Sequence, residues 1–140
     1  MKKPQVDLLR ITNAFSRLQK RAFTEHGGTI FTESGYLCCQ NCALAELENR
    51  MVVHNAVRNG GIAVIGYVFY HGQDKLDCDS GHDLHLSYGG QEATMSYDDN
   101  LAGILTSAKV GNMLTECLRE EGLTVEWDGR TSKRICVKAV

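Results

Sequence analysis

The amino-acid sequence predicts an α+β protein in which helices pack on a four-stranded, mainly antiparallel sheet, with the elements in the order ααββαββ. Three observations lead to this prediction. Three segments carry apolar residues at steps of three and four, which is the spacing of a helix face. One short run is apolar on both of its alternating faces, as in a central strand. The other strand-like segments alternate apolar with polar residues and cluster in hairpins, which favours helices on a sheet over alternating βαβ units.

Length and composition are those of one ordinary globular domain spanning residues 1–140, with 43% hydrophobic residues and a formal charge of −2. The longest apolar run is far shorter than the ~20 residues of a membrane helix, so we expect no membrane association. The first ten residues are polar and charged, with no secretory signal, which predicts a cytoplasmic protein. The six cysteines are then expected to be thiols or metal ligands. A balance of 15 basic and 17 acidic residues predicts no nucleic-acid partner.

The first half of the chain contains two predicted helices. The first runs from Val6 to about His26 and ends at Gly27, because glycine readily adopts the left-handed conformation of a helix C-terminus. The second runs from about Asn41 to Arg58. The segment between them, residues 29–37, receives no helix or strand in this prediction.

The second half begins with the apolar run from Ile62 to Tyr70, which predicts the central strand of the sheet. A polar loop is predicted from His71 to Gly81, followed by a half-buried strand from Asp83 to Tyr88. The third predicted helix extends from about Asn100, in a polar Asp-Asp-Asn sequence with capping chemistry, to Glu121.

Two features complete the predicted architecture. Gly111 lies on the apolar face of the third predicted helix. An interior helix glycine costs about 1 kcal/mol relative to alanine, so we expect a compensating close approach of the helix backbone to the sheet at this position. Alternating residues from Leu123 to Ala139, with a turn at Asp128-Gly129, predict a closing hairpin. Trp127 is expected to be a core residue of that hairpin, with a partner for its indole N–H.

The Cys-Cys-x-x-Cys sequence at residues 38–42 is the most unusual feature, because two thiolates two residues apart can hold one tetrahedral zinc ion. One such pair supplies half of a structural site. The missing ligands could be Cys78 and His82 or, alternatively, His71 at the end of the central strand. Cysteine is also among the most frequently buried residues, so simple packing at the start of the second helix is favoured over the zinc site, which stays open.

Redox chemistry is a third use of Cys39 and Cys42, because a helix N-terminus lowers the pKa of a cysteine. A thioredoxin-like fold would place a strand directly before such a pair and a cis-proline beside it. The only proline of the chain is Pro4, which disfavours a thioredoxin-like enzyme and leaves a redox-sensing thiol pair open.

His71 and Asp74, three residues apart where the central strand ends, could act as a base, a metal ligand or a recognition pair. A strand end is also where a chain returns to water. The sequence shows no nucleophile motif or phosphate-binding glycine loop beside this pair, so we predict no catalytic residue.

Three motifs taken together resemble an uncharacterised bacterial family catalogued as a domain of unknown function. They are the cysteine turn at 38–42, the strand end His-Gly-Gln-Asp at 71–74 and the Trp-Asp-Gly hairpin at 127–129. If these motifs share one site, the resemblance favours one set of metal ligands over Cys78 and His82: Cys38, Cys39, Cys42 and His71. It also marks four candidate recognition residues: Gln73, Asp74, Trp127 and Asp128.

The sequence therefore supports three hypotheses. The first is a non-enzymatic accessory or immunity-type module that binds a protein partner through a sheet edge or a loop. The second is a zinc protein with a structural or hydrolytic Cys/His site, and the third is a thiol redox protein. The second depends on the sulfur atoms of the cysteine turn lying within bonding reach of His71.

Overall fold

A computed structural model describes residues 4–35, 39–57, 62–91 and 105–140. Within these residues the chain alternates helices and strands before it closes with a hairpin. The elements are α1 Leu8–His26, β1 Thr29–Ser34, α2 Gln40–Val57, β2 Val64–Tyr70, α3 Gly72–Asp79, β3 Leu84–Gly90, α4 Ser107–Glu120, β4 Val125–Glu126 and β5 Ile135–Val137. None of the described helices is long and apolar enough to cross a membrane.

The helix α1 confirms the first predicted helix. It begins after Asp7, whose side chain accepts hydrogen bonds from the backbone N–H groups of Leu9 and Arg10. It ends at Gly27, which has a φ of 71°. The side chains at helical spacing pack into the core: Ile11, Ala14, Phe15, Leu18 and Ala22.

The strand β1 corrects the prediction, which assigned no element to residues 29–37. β1 pairs with β2 in parallel, and α2 connects the two strands as a crossover helix. The sheet is therefore five-stranded and mixed, with the order β1-β2-β3-β5-β4, rather than four-stranded and mainly antiparallel. The α+β class itself is confirmed.

Every residue of β2 is buried, which confirms the predicted central strand. Its side chains enter two separate cores, with a shift in register near Ile65. Ile65, Val68 and Tyr70 pack with residues of α1 and α4. Val64, Tyr67 and Phe69 pack with α2 on the other face. Helices therefore cover both faces of the sheet at this strand.

The helix α3 is a second correction, because residues 71–81 were predicted to form a polar loop. It is stabilised by a capping box in which His71 and Asp74 exchange side-chain and backbone hydrogen bonds. Its only buried side chains are those of Asp74 and Cys78. An apolar stripe that would have revealed the helix is thus missing from the sequence.

The helix α4 begins at Ser107, with Thr106 as its N-cap. The sequence predicted that this helix starts at about Asn100, and the prediction is wrong for residues 105 and 106, which precede the helix. Asn100 itself lies outside the described residues. The predicted close approach at Gly111 is confirmed, since an added Cβ would lie 2.6 Å from the Trp127 ring. Trp127 belongs to the closing hairpin, where β4 and β5 pair antiparallel as predicted.

Candidate functional site

The topology brings the cysteine turn and the end of β2 to one edge of the sheet. β1 and β2 are parallel, and Ser34 at the end of β1 pairs with Tyr70 at the end of β2. The helix α2 begins just beyond β1, and His71 directly follows β2. The start of α2, with Cys39 and Cys42, and His71 therefore lie at the same end of these strands. The shared-site hypothesis also requires bonding distances between the sulfur atoms and His71, and it stays a prediction.

His71 is the N-cap of α3. Its ring Nδ1 accepts a hydrogen bond from the Asp74 N–H at 3.3 Å, and its own N–H donates to Asp74 Oδ2 at 3.0 Å. The two residues are only 7% and 6% exposed. Burial holds the pKa of His71 below its ordinary value, so the ring is neutral at neutral pH and Nδ1 can accept this bond.

Asp74 also holds Arg134, which lies just before β5. The guanidinium group donates to both carboxylate oxygens of Asp74, a bidentate pair. It also donates to the backbone carbonyl of His85 at 2.8 Å and to Ser87 Oγ at 2.8 Å. Arg134 therefore ties α3 and β3 to the closing hairpin.

The contacts continue from Ser87 to the first residue of α2. Ser87 Oγ donates to Gln40 Oε1 at 3.1 Å. One chain of polar contacts thus runs from His71 through Asp74, Arg134 and Ser87 to Gln40, the neighbour of Cys39. In this arrangement His71 and Asp74 together cap α3, and Asp74 also forms the ion pair with Arg134.

The described thiols of the cysteine turn lie at the start of α2. The Cys39 carbonyl accepts a hydrogen bond from the Ala43 N–H at 2.9 Å, which places Cys39 at the N-cap and Cys42 in the first turn. Both side chains are exposed. Cys38 lies outside the described residues. In the part of the chain that the structure describes, no three His, Cys, Asp or Glu side chains are grouped to hold a metal ion, and the zinc site stays a prediction.

Cys78 and His82, the alternative ligands, lie in different environments. Cys78 is 2% exposed, and its thiol lies 3.9 Å from the Val6 carbonyl oxygen. Burial raises the pKa of this thiol, which opposes the thiolate form that binds a metal. His82 is exposed just beyond α3.

Two of the candidate recognition residues make local contacts at the surface. Gln73 is exposed in the first turn of α3, where its amide donates to Asp77 Oδ1 at 3.3 Å. Asp128 is exposed and accepts a hydrogen bond from the Arg130 N–H at 2.9 Å. Both side chains therefore make contacts within the segments in which they lie.

Trp127 is half-buried and shapes the loop between β4 and β5. Its indole N–H lies 3.2 Å from the Arg130 carbonyl and 3.3 Å from the Lys133 carbonyl, which confirms the predicted partner. The Tyr88 hydroxyl lies at 3.0 and 2.9 Å from the same two carbonyls. Two aromatic side chains therefore hold both ends of this loop.

A cleft of about 230 Å³ lies between the start of α2 and this loop, and we name it the α2–β5 cleft. The residues that line it come from three elements, α2, β2 and β3, and from the connection between β4 and β5, and none of them was predicted as a site residue. They are Gln40, Leu44, Tyr67, Ser87, Tyr88, Thr131, Ser132, Lys133 and Arg134.

Comparison with known proteins gives one match. A family model described as a domain of unknown function, DUF6891, covers residues 3–140 of the chain. No curated protein and no solved structure matches the chain. The match confirms the resemblance to a domain of unknown function.

Proposed function

Because the chain belongs to the DUF6891 family, a domain of unknown function, we propose its role from the geometry: a non-enzymatic module that binds an extended segment of a partner protein along the edge strand β1. An accessory or immunity-type role in the cytoplasm forms part of this proposal. The observation that carries it is the outward direction of the backbone groups of β1.

The hydrogen bonds at the two ends of β1 fix this direction. The Thr29 N–H donates to the Ala63 carbonyl and the Gly35 N–H to the Tyr70 carbonyl, both at 2.9 Å. Alternate residues of a strand direct their backbone groups to opposite sides. Thr32 and Ser34 therefore direct their N–H and C=O groups away from β2.

The neighbouring residue Ile30 supports the same reading. Its carbonyl also points outward, where it accepts a hydrogen bond from the Gln19 side chain of α1 at 2.9 Å. Among the described residues, none forms a hydrogen bond of this kind with the outward N–H or C=O group of Thr32. An uncovered row of donors and acceptors is a template for one more strand.

The opposite edge of the sheet is a poorer template. The strand β4 has two residues, whereas β1 has six. Very short edge strands are one way in which proteins avoid unwanted pairing. We therefore place the partner at β1.

The non-enzymatic part of the proposal rests on His71 and Asp74, the pair that the sequence offered as a possible base. Both are buried, and their polar atoms take part in the cap of α3 and in the ion pair with Arg134. A general base has to reach a substrate proton. This pair is engaged in stabilising contacts within the fold instead.

Replacing Thr32 by proline tests this function. Proline removes the outward N–H and leaves the ladder to β2 in place, so we expect T32P to lose its protein partner in affinity capture from cells. T32A is the matched control, because it removes the same side chain and keeps the N–H; it should retain the partner.

Amide hydrogen exchange of the wild-type complex provides a second readout that does not depend on the variant. Exchange at Thr32 and Ser34 should slow when the identified partner binds. Equal capture by T32P and T32A, unchanged exchange at both amides, or a turnover that requires His71 or a cysteine would contradict the proposed function.

Cys39 and Cys42 support a second candidate, because both are exposed at the start of α2 and at the same edge as His71. The positive end of the helix dipole favours thiolates there. Two thiolates could hold zinc with Cys38 or His71. Alternatively, residues three apart in a helical turn lie about 5–6 Å apart, within the range that a disulfide spans. Oxidised glutathione would accept two electrons and two protons from the pair.

Elemental analysis and thiol titration of one preparation, purified without added metal, distinguish these alternatives. The zinc hypothesis predicts about one equivalent of zinc, lost in the double variant C39S/C42S and retained in C136S. The redox hypothesis predicts a reversible loss of two thiols with oxidised glutathione in the wild type and in C136S. Less than about a tenth of an equivalent of zinc, together with unchanged thiols, would exclude both.

A further inference from the structure

The α2–β5 cleft lies beside the first turns of α2, on the face of the sheet that α2 covers. Leu84 and Leu86 of β3 face the core that contains α1 and α4. Ser87 therefore faces the opposite side of the sheet, where it contacts Gln40 at the start of α2. The loop between β4 and β5 forms the other wall of the cleft.

The loop wall is held in a fixed shape. Tyr88 and Trp127 both donate hydrogen bonds to the carbonyls of Arg130 and Lys133, on either side of Thr131 and Ser132. These contacts restrain the two hydroxyl residues before any ligand arrives. A preorganised loop loses less conformational entropy on binding.

The lining carries positive charge and hydrogen-bond donors. Lys133 is exposed, and Arg134 is fixed against Asp74. Among the described residues that line the cleft, none is acidic, and Asp74 lies behind Arg134 with its carboxylate buried. Lysine ammonium groups and hydroxyls are the donors that bind oxygen anions.

We propose that the α2–β5 cleft binds a small oxyanion, a carboxylate or a phosphate. Lys133 supplies the charge, and the hydroxyls of Thr131 and Ser132 supply hydrogen bonds. A volume of about 230 Å³ fits such a group better than a drug-sized ligand. The proposal is independent of partner binding at β1, because no residue of β1 lines the cleft.

Nuclear magnetic resonance titrations of the whole chain with inorganic phosphate and, separately, with acetate test this site. We expect saturable shifts at the backbone amides of Gln40 and of residues 131–134. The variant K133Q should bind about tenfold more weakly, the scale of one charge-assisted contact. The double variant T131A/S132A should also bind more weakly, without loss of the lysine charge.

K109Q is the matched control, because Lys109 is an exposed lysine of α4 outside the cleft. It should bind both anions as the wild type does. A saturable response to one anion alone would identify the group that the cleft takes. The proposal is wrong if neither anion gives saturable shifts, or if K133Q and K109Q bind as tightly as each other.

Discussion

Replacement of Asp74 by alanine is expected to reduce the free energy of unfolding by about 3 kcal/mol, the lower end of the cost of removing one partner of a buried ion pair, because the Arg134 side chain that stays behind is 31% exposed. The variant would leave the guanidinium of Arg134 without its bidentate acceptor and would remove one half of the capping box of α3. Urea denaturation of the variant and the wild type measures this difference.

The matched control is D77A in the same helix, because Asp77 is exposed. We expect it to lose less than about 1 kcal/mol, as most surface substitutions do. The double variant D74A/R134A should lose less than the sum of the two single variants, since the second change removes the unpaired charge. Additive losses would show that the pair does not act as a unit.

The substitution G90A is expected to cost about 2–3 kcal/mol of stability, because the added methyl group overpacks a site that has no room for it. A Cβ at this position would meet the backbone of Leu105, Thr106 and Ser107, where the chain enters α4. The Gly90 N–H also donates to Ser107 Oγ at 2.9 Å. Thermal and urea unfolding of the variant provide the measurement.

The variant G111A offers a comparison in which the obstacle is a side chain. Its Cβ would lie 2.6 Å from the edge of the half-buried Trp127 ring, so the ring would have to shift against its hydrogen bonds to the β4–β5 loop, whereas alanine gains about 1 kcal/mol of helix propensity. We therefore expect a smaller loss than in G90A. Equal losses in G90A and G111A would contradict the distinction between backbone and side-chain contacts.

The elements that the sequence predicted well are those whose signal is local. The helix α1 has an apolar face and a terminal glycine, and β2 is apolar on both faces. β1 was missed because its buried face is carried by Ile30 alone, with partly exposed residues around it. α3 was missed because a histidine caps it, whereas serine, threonine and aspartate are the usual cap signals.

The site was harder to predict, because its contacts join residues that are distant in the sequence. The motif at residues 71–74 pointed to His71 and Asp74 but not to Arg134, which lies 60 positions from Asp74. Ser87 and Gln40 are 47 positions apart, and neither was a predicted site residue. Such pairs become visible only when the order of strands in the sheet is known.

The bond between Asp74 and Arg134 has a consequence for how the protein is made. A ribosome releases the chain from its N-terminus, so α3 emerges long before the arginine that neutralises its buried carboxylate. The nascent chain cannot form this ion pair until residue 134, which lies 60 positions after Asp74, has left the ribosome. Docking of α3 onto the sheet is thereby tied to synthesis of the segment that leads into β5.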